Sequence, residues 1–213
     1  MIKKNIFKAL LLTSMLSICI SLLPQQKNQD NSTPGIIEEL DVKVPMRDGV
    51  RLSTNIYRPD SPGKFPVLLM RSPYGNGGAG NREAAYAVTR GYVVVLQDTR
   101  GRYESEGVFD AMQPEALDGY DTQQWIGAQT WCNGKIGTFG GSYVGFTQWM
   151  PAPLQSQYLV TMFPVVTFSD FHDVAYQNGA FRLELFGLWS WEMTSPYNLN
   201  PDSLMIFSNS LLL

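Results

Sequence analysis

The chain has 213 residues, a formal net charge of −3, 44% hydrophobic and 12% aromatic residues. That length suits one large domain and that composition an ordinary globular protein rather than a disordered one. The acidic balance leaves no basic face for a nucleic-acid footprint, so nucleic acid is excluded as a partner.

The amino-terminal segment differs in kind from the rest. Lys3, Lys4 and Lys8 precede an uncharged apolar run from Ala9 to Leu23, and the polar stretch PQQKNQDNSTPG follows. Residues 1–23 therefore read as a signal peptide, its fifteen-residue apolar run shorter than the roughly 20 residues a spanning helix needs, and 24–35 as a linker. Leu16-Ser17-Ile18 before Cys19 is similar to the lipobox of bacterial lipoproteins, although Ile18 stands where a small residue is expected. A plain export signal cut near Ser21 to Pro24, an uncleaved anchor and a lipid on Cys19 all stay open; each predicts an exported protein whose membrane contact is confined to this segment. Cys132 is then the one cysteine of the folded part, and it reads as buried and idle.

The core is expected over 36–166. Val42, Val44 and Met46 alternate with polar neighbours, Arg47-Asp48-Gly49 supplies a turn, and Val50, Leu52, Thr54 and Ile56 alternate again, which predicts a β-hairpin. Val67 to Met70 and Tyr92 to Leu96 are continuous apolar runs, as in strands buried on both faces of a parallel sheet. Between them the alanines of Asn81 to Arg90 sit at helical spacing and Gly91 ends the helix, so a right-handed crossover is expected. The glycines from Gly75 to Gly80 match no phosphate-cradling pattern. A second helix is predicted from Pro114 to Ala128, with Leu117, Tyr120, Trp125 and Ile126 on one face and Glu115 favouring the amino end.

Lys135 to Phe139 is the next predicted strand, and it runs into GGSYVGFTQWM. A serine among glycines between a strand and a helix has the form of a nucleophile elbow, where a tight turn lifts the hydroxyl clear of the sheet. The general pattern G-x-S-x-G is met at Gly140 but not at Val144; the next glycine is Gly145. On that pattern alone, an elbow at Ser142 and a Gly-rich turn with a surface serine both stand. Pro151 and Pro153 stop the following helix, and Tyr158 to Val166 is a further strand. The fold class is α/β, with the order of elements found in the first part of an α/β-hydrolase sheet. From 167 to 213 an aromatic-rich, helix-like segment begins.

Four stretches then resemble the CocE/NonD hydrolases, the group of cocaine esterase, α-amino-acid ester hydrolases, glutaryl-7-aminocephalosporanic acid acylases and Xaa-Pro dipeptidyl-peptidases. VPMRDGVRLSTNIYRPD is similar to their opening hairpin and FPVLLMRSPYG to their R-x-P-Y strand end. QDTRGRYESEGVF resembles their D-x-R-G-x-x-x-S-E-G loop and GTFGGSYVGFTQW their G-x-S-Y-x-G elbow. The likeness runs from about Val44 to Phe186, and it accounts for a glycine at 145 in place of 144. It implies an incomplete α/β-hydrolase fold: the amino-terminal part of the sheet plus the start of a helical cap.

The same resemblance implies roles. Ser142 becomes the nucleophile that forms an acyl-enzyme, with the backbone N–H of Tyr143 and the hydroxyl of Tyr74 as oxyanion donors. The substrate is a small ester, amide or short peptide, with no cofactor and no metal. Asp98, Arg100, Ser105, Glu106 and Gly107 read as structural hydrogen bonding beside the site.

The family's aspartate and histidine come late in the domain, and this chain holds one histidine, His172. It falls where the family begins its cap, and its neighbours Asp170 and Asp173 are too close along one helix to stack with it as a triad. The sequence therefore reads as a truncated serine hydrolase lacking its acid and base, with an open sheet edge and an uncovered apolar segment from Leu183 to Trp191. The competing reading is a non-catalytic truncated homologue that acts as a binding or surface protein.

Overall fold

A computed structural model describes residues 35–194. The signal segment with Cys19, almost all of the linker and the chain beyond 194 lie outside the described residues.

Strands β1 (Ile36–Pro45) and β2 (Arg51–Pro59) form the expected hairpin. Its turn closes where Gly49 N donates to the Met46 carbonyl and Met46 N to that of Val50. Next come β3 (Phe65–Ser72), helix α1 (Arg82–Val88), β4 (Val93–Asp98), helix α2 (Glu115–Gly127) and β5 (Cys132–Gly141). Helix α3 (Tyr143–Trp149) and β6 (Leu159–Val165) complete the described sheet region. The strand order is β1-β2-β4-β3-β5-β6: β2 is antiparallel to β1 and β4, and the rest pair in parallel. This is the mostly parallel sheet of an α/β-hydrolase.

The continuous apolar runs divide between the two faces as the side-chain period of two requires. Val93 and Val95 pack with Ile56, Val67, Leu69, Ile126 and Ile136 under α2. Val94 and Leu96 pack with Tyr57, Ala84 and Val88 under α1. Asn81 caps α1 through its side chain, which accepts from Ala84 N. Cys132 is buried and free, as its sequence setting suggests.

Helix α2 departs from the predicted apolar face. Trp125 and Ile126 do pack into the core, but Leu117 is exposed. The side turned inward carries Glu115, Asp118, Thr122 and Gln123, all nearly inaccessible. Glu115 is therefore no surface charge at a helix end; its carboxylate meets a buried guanidinium, described below.

The aromatic segment after β6 is also not one helix. Helix α4 (Phe171–Ala175) is followed by a hairpin of β7 (Tyr176–Gln177) and β8 (Ala180–Phe181). Asn178 and Gly179 turn it with φ of 52° and 81°, the left-handed pair that an Asn-Gly dipeptide favours in tight hairpins. A π-helical turn (Leu183–Gly187) then leads into helix α5 (Leu188–Thr194). The stretch from Leu183 to Trp191 is only partly uncovered: Leu183 and Leu185 are exposed, whereas Phe186 is buried and Trp189 packs over Tyr143.

Candidate active site

The link between β5 and α3 is a single residue, Ser142, with φ 56° and ψ −125°. An L-residue resists that conformation, and such backbone strain persists only where surrounding contacts impose it. Here they do. Ser142 N donates to the carbonyls of Val165 and Val166 at 3.0 and 3.1 Å, and its own carbonyl accepts from Gly145 N, Phe146 N and Thr167 Oγ1. Ser142 is exposed, while Tyr143 behind it is buried.

Two glycines are obligatory for steric reasons. A Cβ on Gly140 would stand 2.2 Å from Val144 Cγ1, and one on Gly145 would stand 2.5 Å from Thr167 Cβ. The side chain of Val144 thus occupies the space that Gly140 leaves empty, and the helix needs its second glycine at 145, where it crosses Thr167. The irregular spacing in the sequence follows from this packing.

Ser142, Tyr143 and Tyr74 line one cavity of about 250 Å³. Its remaining walls are Met112, Val166, Phe168, Val174, Leu185, Phe186 and Trp189, so it is apolar apart from the groups around the serine. Tyr74 follows β3, the Tyr74 and Tyr143 rings meet edge to face at 6.4 Å, and Trp189 Nε1 donates to Tyr74 Oη at 3.1 Å. With a donor already directed at its oxygen, the Tyr74 hydroxyl has its own proton to give. The N–H of Tyr143, in the first turn of α3, has no acceptor within the helix. The Ser142 hydroxyl and these two donors thus belong to one cavity, the groups that acyl transfer would require together.

Behind this wall lies a charged layer. Tyr143 Oη donates to Glu115 Oε1 at 2.8 Å and accepts from Met112 N at 2.9 Å. Burial, with the Glu115 charge beside it, holds the Tyr143 phenol well above its ordinary range of ionisation. Glu115 Oε2 takes Arg71 Nη1 at 2.8 Å, and Arg71 Nε donates to Gln97 Oε1 at 2.7 Å. Asp118 accepts two hydrogen bonds from Arg100, which also reaches Asp48. Hydrogen bonding to Asp118 raises the Arg100 pKa further above its already high value.

The loop residues Asp98, Arg100, Ser105 and Glu106 have structural partners. Ser105 Oγ donates to the Asp98 carbonyl and accepts from Ser53 N, and Glu106 pairs with Arg51. His172 does not line the cavity. Its side chain is 76% exposed, it stacks on Tyr176, and its Nδ1 is 3.6 Å from Asp173. Asp170 caps α4, its Oδ1 accepting from His172 N and Asp173 N. Among the described residues no group of three His, Cys, Asp or Glu side chains converges to hold a metal.

Two contributors were missed in the sequence. Trp189 lies far along the chain from Tyr74, and nothing local signals their contact. Arg102 sits at a variable position of the D-x-R-G loop, yet its Nε donates to the Pro73 carbonyl and its Nη1 to that of Met193, tying the Tyr74 turn to α5.

Residues 48–206 match the family model described as X-Pro dipeptidyl-peptidase (S15 family). The chain is 39% identical over 155 residues to a cocaine esterase from Rhodococcus sp. (strain MB1 Bresler), across 70% of the chain and 27% of that relative. Among solved structures it is similar to a CocE/NonD family hydrolase from Staphylococcus aureus, with a TM-score of 0.70 and 33% identity over 78% of the chain and 34% of that protein. An α-amino acid ester hydrolase matches with a TM-score of 0.62 and 30% identity, over 75% of the chain and 30% of that protein. The chain thus spans about a quarter to a third of the length of these relatives.

Proposed function

Starting from a chain that belongs to the X-Pro dipeptidyl-peptidase (S15) family, we propose that these residues carry the nucleophile and oxyanion half of an exported serine hydrolase of esters or amides. The observation that carries the reading is the exposed Ser142 in its strained elbow, on one cavity with Tyr74 and Tyr143. Ser142 Oγ attacks the carbonyl carbon while its proton passes to a base. The oxyanion forms between the Tyr143 N–H and the Tyr74 hydroxyl, and the alcohol or amine departs with that proton to leave an acyl-serine. Water, giving a proton to the base, then attacks the acyl carbon; the C–Oγ bond breaks, the carboxylic acid leaves and that proton returns to Ser142 Oγ.

In this reading the base and its orienting acid lie outside the described residues. In α/β-hydrolases the order along the chain is serine, acid, histidine, and His172 is exposed away from the cavity. The core is taken as 36–166 and the cap as starting at 167, so the described cap residues form only part of the pocket wall. The coarse substrate class is a small acyl ester, amide or short peptide, bound without a cofactor.

A fluorophosphonate probe applied to the protein translated through its complete reading frame tests this. Labelling that maps to Ser142 and disappears in Ser142→Ala is expected; a folded protein that stays unlabelled overturns the proposal. A second reading rests on the position of His172: a non-catalytic homologue that only binds. A stop codon directly after codon 213, with no labelling of the 213-residue chain, would favour it.

A further inference from the structure

The Arg71–Glu115 ion pair is buried and does not line the Ser142 cavity, yet it joins the two elements that carry the oxyanion donors. Glu115 grips the Tyr143 hydroxyl with one oxygen and Arg71 with the other, at 2.8 Å each. Arg71 stands in β3, the strand whose end leads through Pro73 to Tyr74. Its carbonyl accepts from Thr147 Oγ1 of α3 at 3.1 Å, and its Nε reaches Gln97 in β4. Arg71, Glu115 and Tyr143 are 3%, 1% and 1% exposed. Three elements, β3, α2 and α3, are thus cross-linked by polar groups directly behind the elbow.

Stability alone is a poor reason for such a device. Taking an ion pair out of water costs about as much as the pair returns, and apolar residues of similar volume often do better. What a hydrogen-bonded charge provides that apolar packing does not is direction and distance. Donors in an oxyanion hole must meet the developing charge within a few tenths of an ångström, and a displacement of about 1 Å can cost 10²-fold in rate. The Tyr143 backbone is held from the serine side by the Ser142 carbonyl contacts; its ring is held from behind by Glu115 and Met112 N.

We infer that the Arg71–Glu115 pair, acting through the Tyr143 hydroxyl, is a positioning device that sets the Tyr143 N–H and Tyr74 at a fixed separation across the oxyanion hole. The inference rests on the serine-hydrolase reading above. Arg71, Glu115 and the Tyr143 side chain are positioning groups in it, distinct from the reacting serine and the donors themselves.

The experiment uses the complete-frame protein as wild type, Tyr143→Phe and Glu115→Gln, compared by melting temperature, p-nitrophenyl ester kinetics and inhibition by a trifluoromethyl ketone. That ketone adds to the serine and presents an oxyanion, so its affinity reports the hole itself. Tyr143→Phe keeps the ring and is expected to fold. Its kcat should fall roughly 10-fold or more, with KM within about 2-fold and ketone affinity falling in parallel with kcat/KM. Glu115→Gln keeps an acceptor for Tyr143 and should give a smaller loss of the same form. Folded variants with unchanged kcat and ketone affinity overturn the inference, as does a change confined to KM. Loss of cooperative melting in both variants would make the network a folding element and also overturn it. A wild-type protein that neither turns over ester nor is labelled at Ser142 brings down the hydrolase reading instead, a result distinct from all of these.

Discussion

Trp189 Nε1 donates a hydrogen bond to Tyr74 Oη at 3.1 Å, so a residue of helix α5 fixes the lone pair of a hydroxyl just past the end of β3. Trp189 also stacks on Tyr143 with ring centroids 6.0 Å apart, and Arg102 clamps the Pro73 carbonyl to that of Met193. With its oxygen already accepting, Tyr74 is left to donate toward the cavity. Trp189→Phe keeps an aromatic ring against Tyr143 and removes the N–H. In the complete-frame protein, kcat for an activated ester is expected to drop by about 3- to 10-fold, the scale of one lost neutral hydrogen bond, with little change in melting temperature. An unchanged kcat would show that Tyr74 needs no such partner.

Gly145 is pressed against Thr167, whose Oγ1 holds the Ser142 carbonyl at 2.8 Å. Gly145→Ala places a methyl 2.5 Å from Thr167 Cβ. The expected loss is about 1–3 kcal/mol of stability by overpacking, read from urea denaturation, together with weaker labelling of Ser142. Adding Thr167→Gly, which removes that Cβ, should restore part of the stability but not the labelling, since the Oγ1 contact to Ser142 is then gone.

Asp98 gives a pH dependence of definite sign. It is buried at the end of β4 with Oδ1 unpartnered. Burial pushes its pKa up from 3.8 to about 7, with the Glu104 and Asp41 charges adding to the rise and a Glu104 backbone hydrogen bond and Lys43 opposing it. Between those two pH values the folded chain holds the proton more tightly than the unfolded chain, so stability falls as pH rises and the loss is complete a little above pH 7. Asp41, Asp48, Glu106 and Asp121 have lowered pKa values and act in the opposite sense, below about pH 4. The urea midpoint should therefore be higher at pH 5 than at pH 8. Asp98→Asn should flatten that slope and raise the pH 8 midpoint; a wild-type midpoint that climbs from pH 5 to pH 8 would contradict the assignment.

Strand β6 is one of the two edge strands of the described sheet, and it presents Val160 and Phe163 at 59% and 70% exposure, with Val166 just past its end at 90%. An open edge with apolar side chains pairs readily with other strands. The isolated 213-residue chain is expected to self-associate, and Phe163→Lys should shift its light scattering toward the monomer. Equal scattering from both proteins would indicate that another surface governs association.

Local signals in the chain were enough for the hairpin, the buried strands, α1 and the elbow. The two periods and the turn residues at Asp48-Gly49 and Gly140 report backbone conformation within a few positions. The same kind of signal stands at Asn178-Gly179, where the aromatic spacing favours a helix but the turn chemistry prevails. For α2 the apolar spacing pointed at Leu117, yet the buried side carries Glu115, Asp118, Thr122 and Gln123. Hydrophobicity ranks a lone carboxylate as a surface group, and only a partner from elsewhere in the chain reverses that ranking.

What the sequence by itself determined is the order of elements from β1 to β6, the family and the identity of the candidate nucleophile, because each depends on short patterns read along the chain. What only the tertiary structure decided is how that nucleophile is held. The glycine at 145 answers to Thr167, Tyr143 answers to Glu115 and Arg71, and Tyr74 answers to Trp189. Each of these is a distance between residues remote in sequence, and such distances exist only after the fold has brought β3, α2, α3 and α5 together.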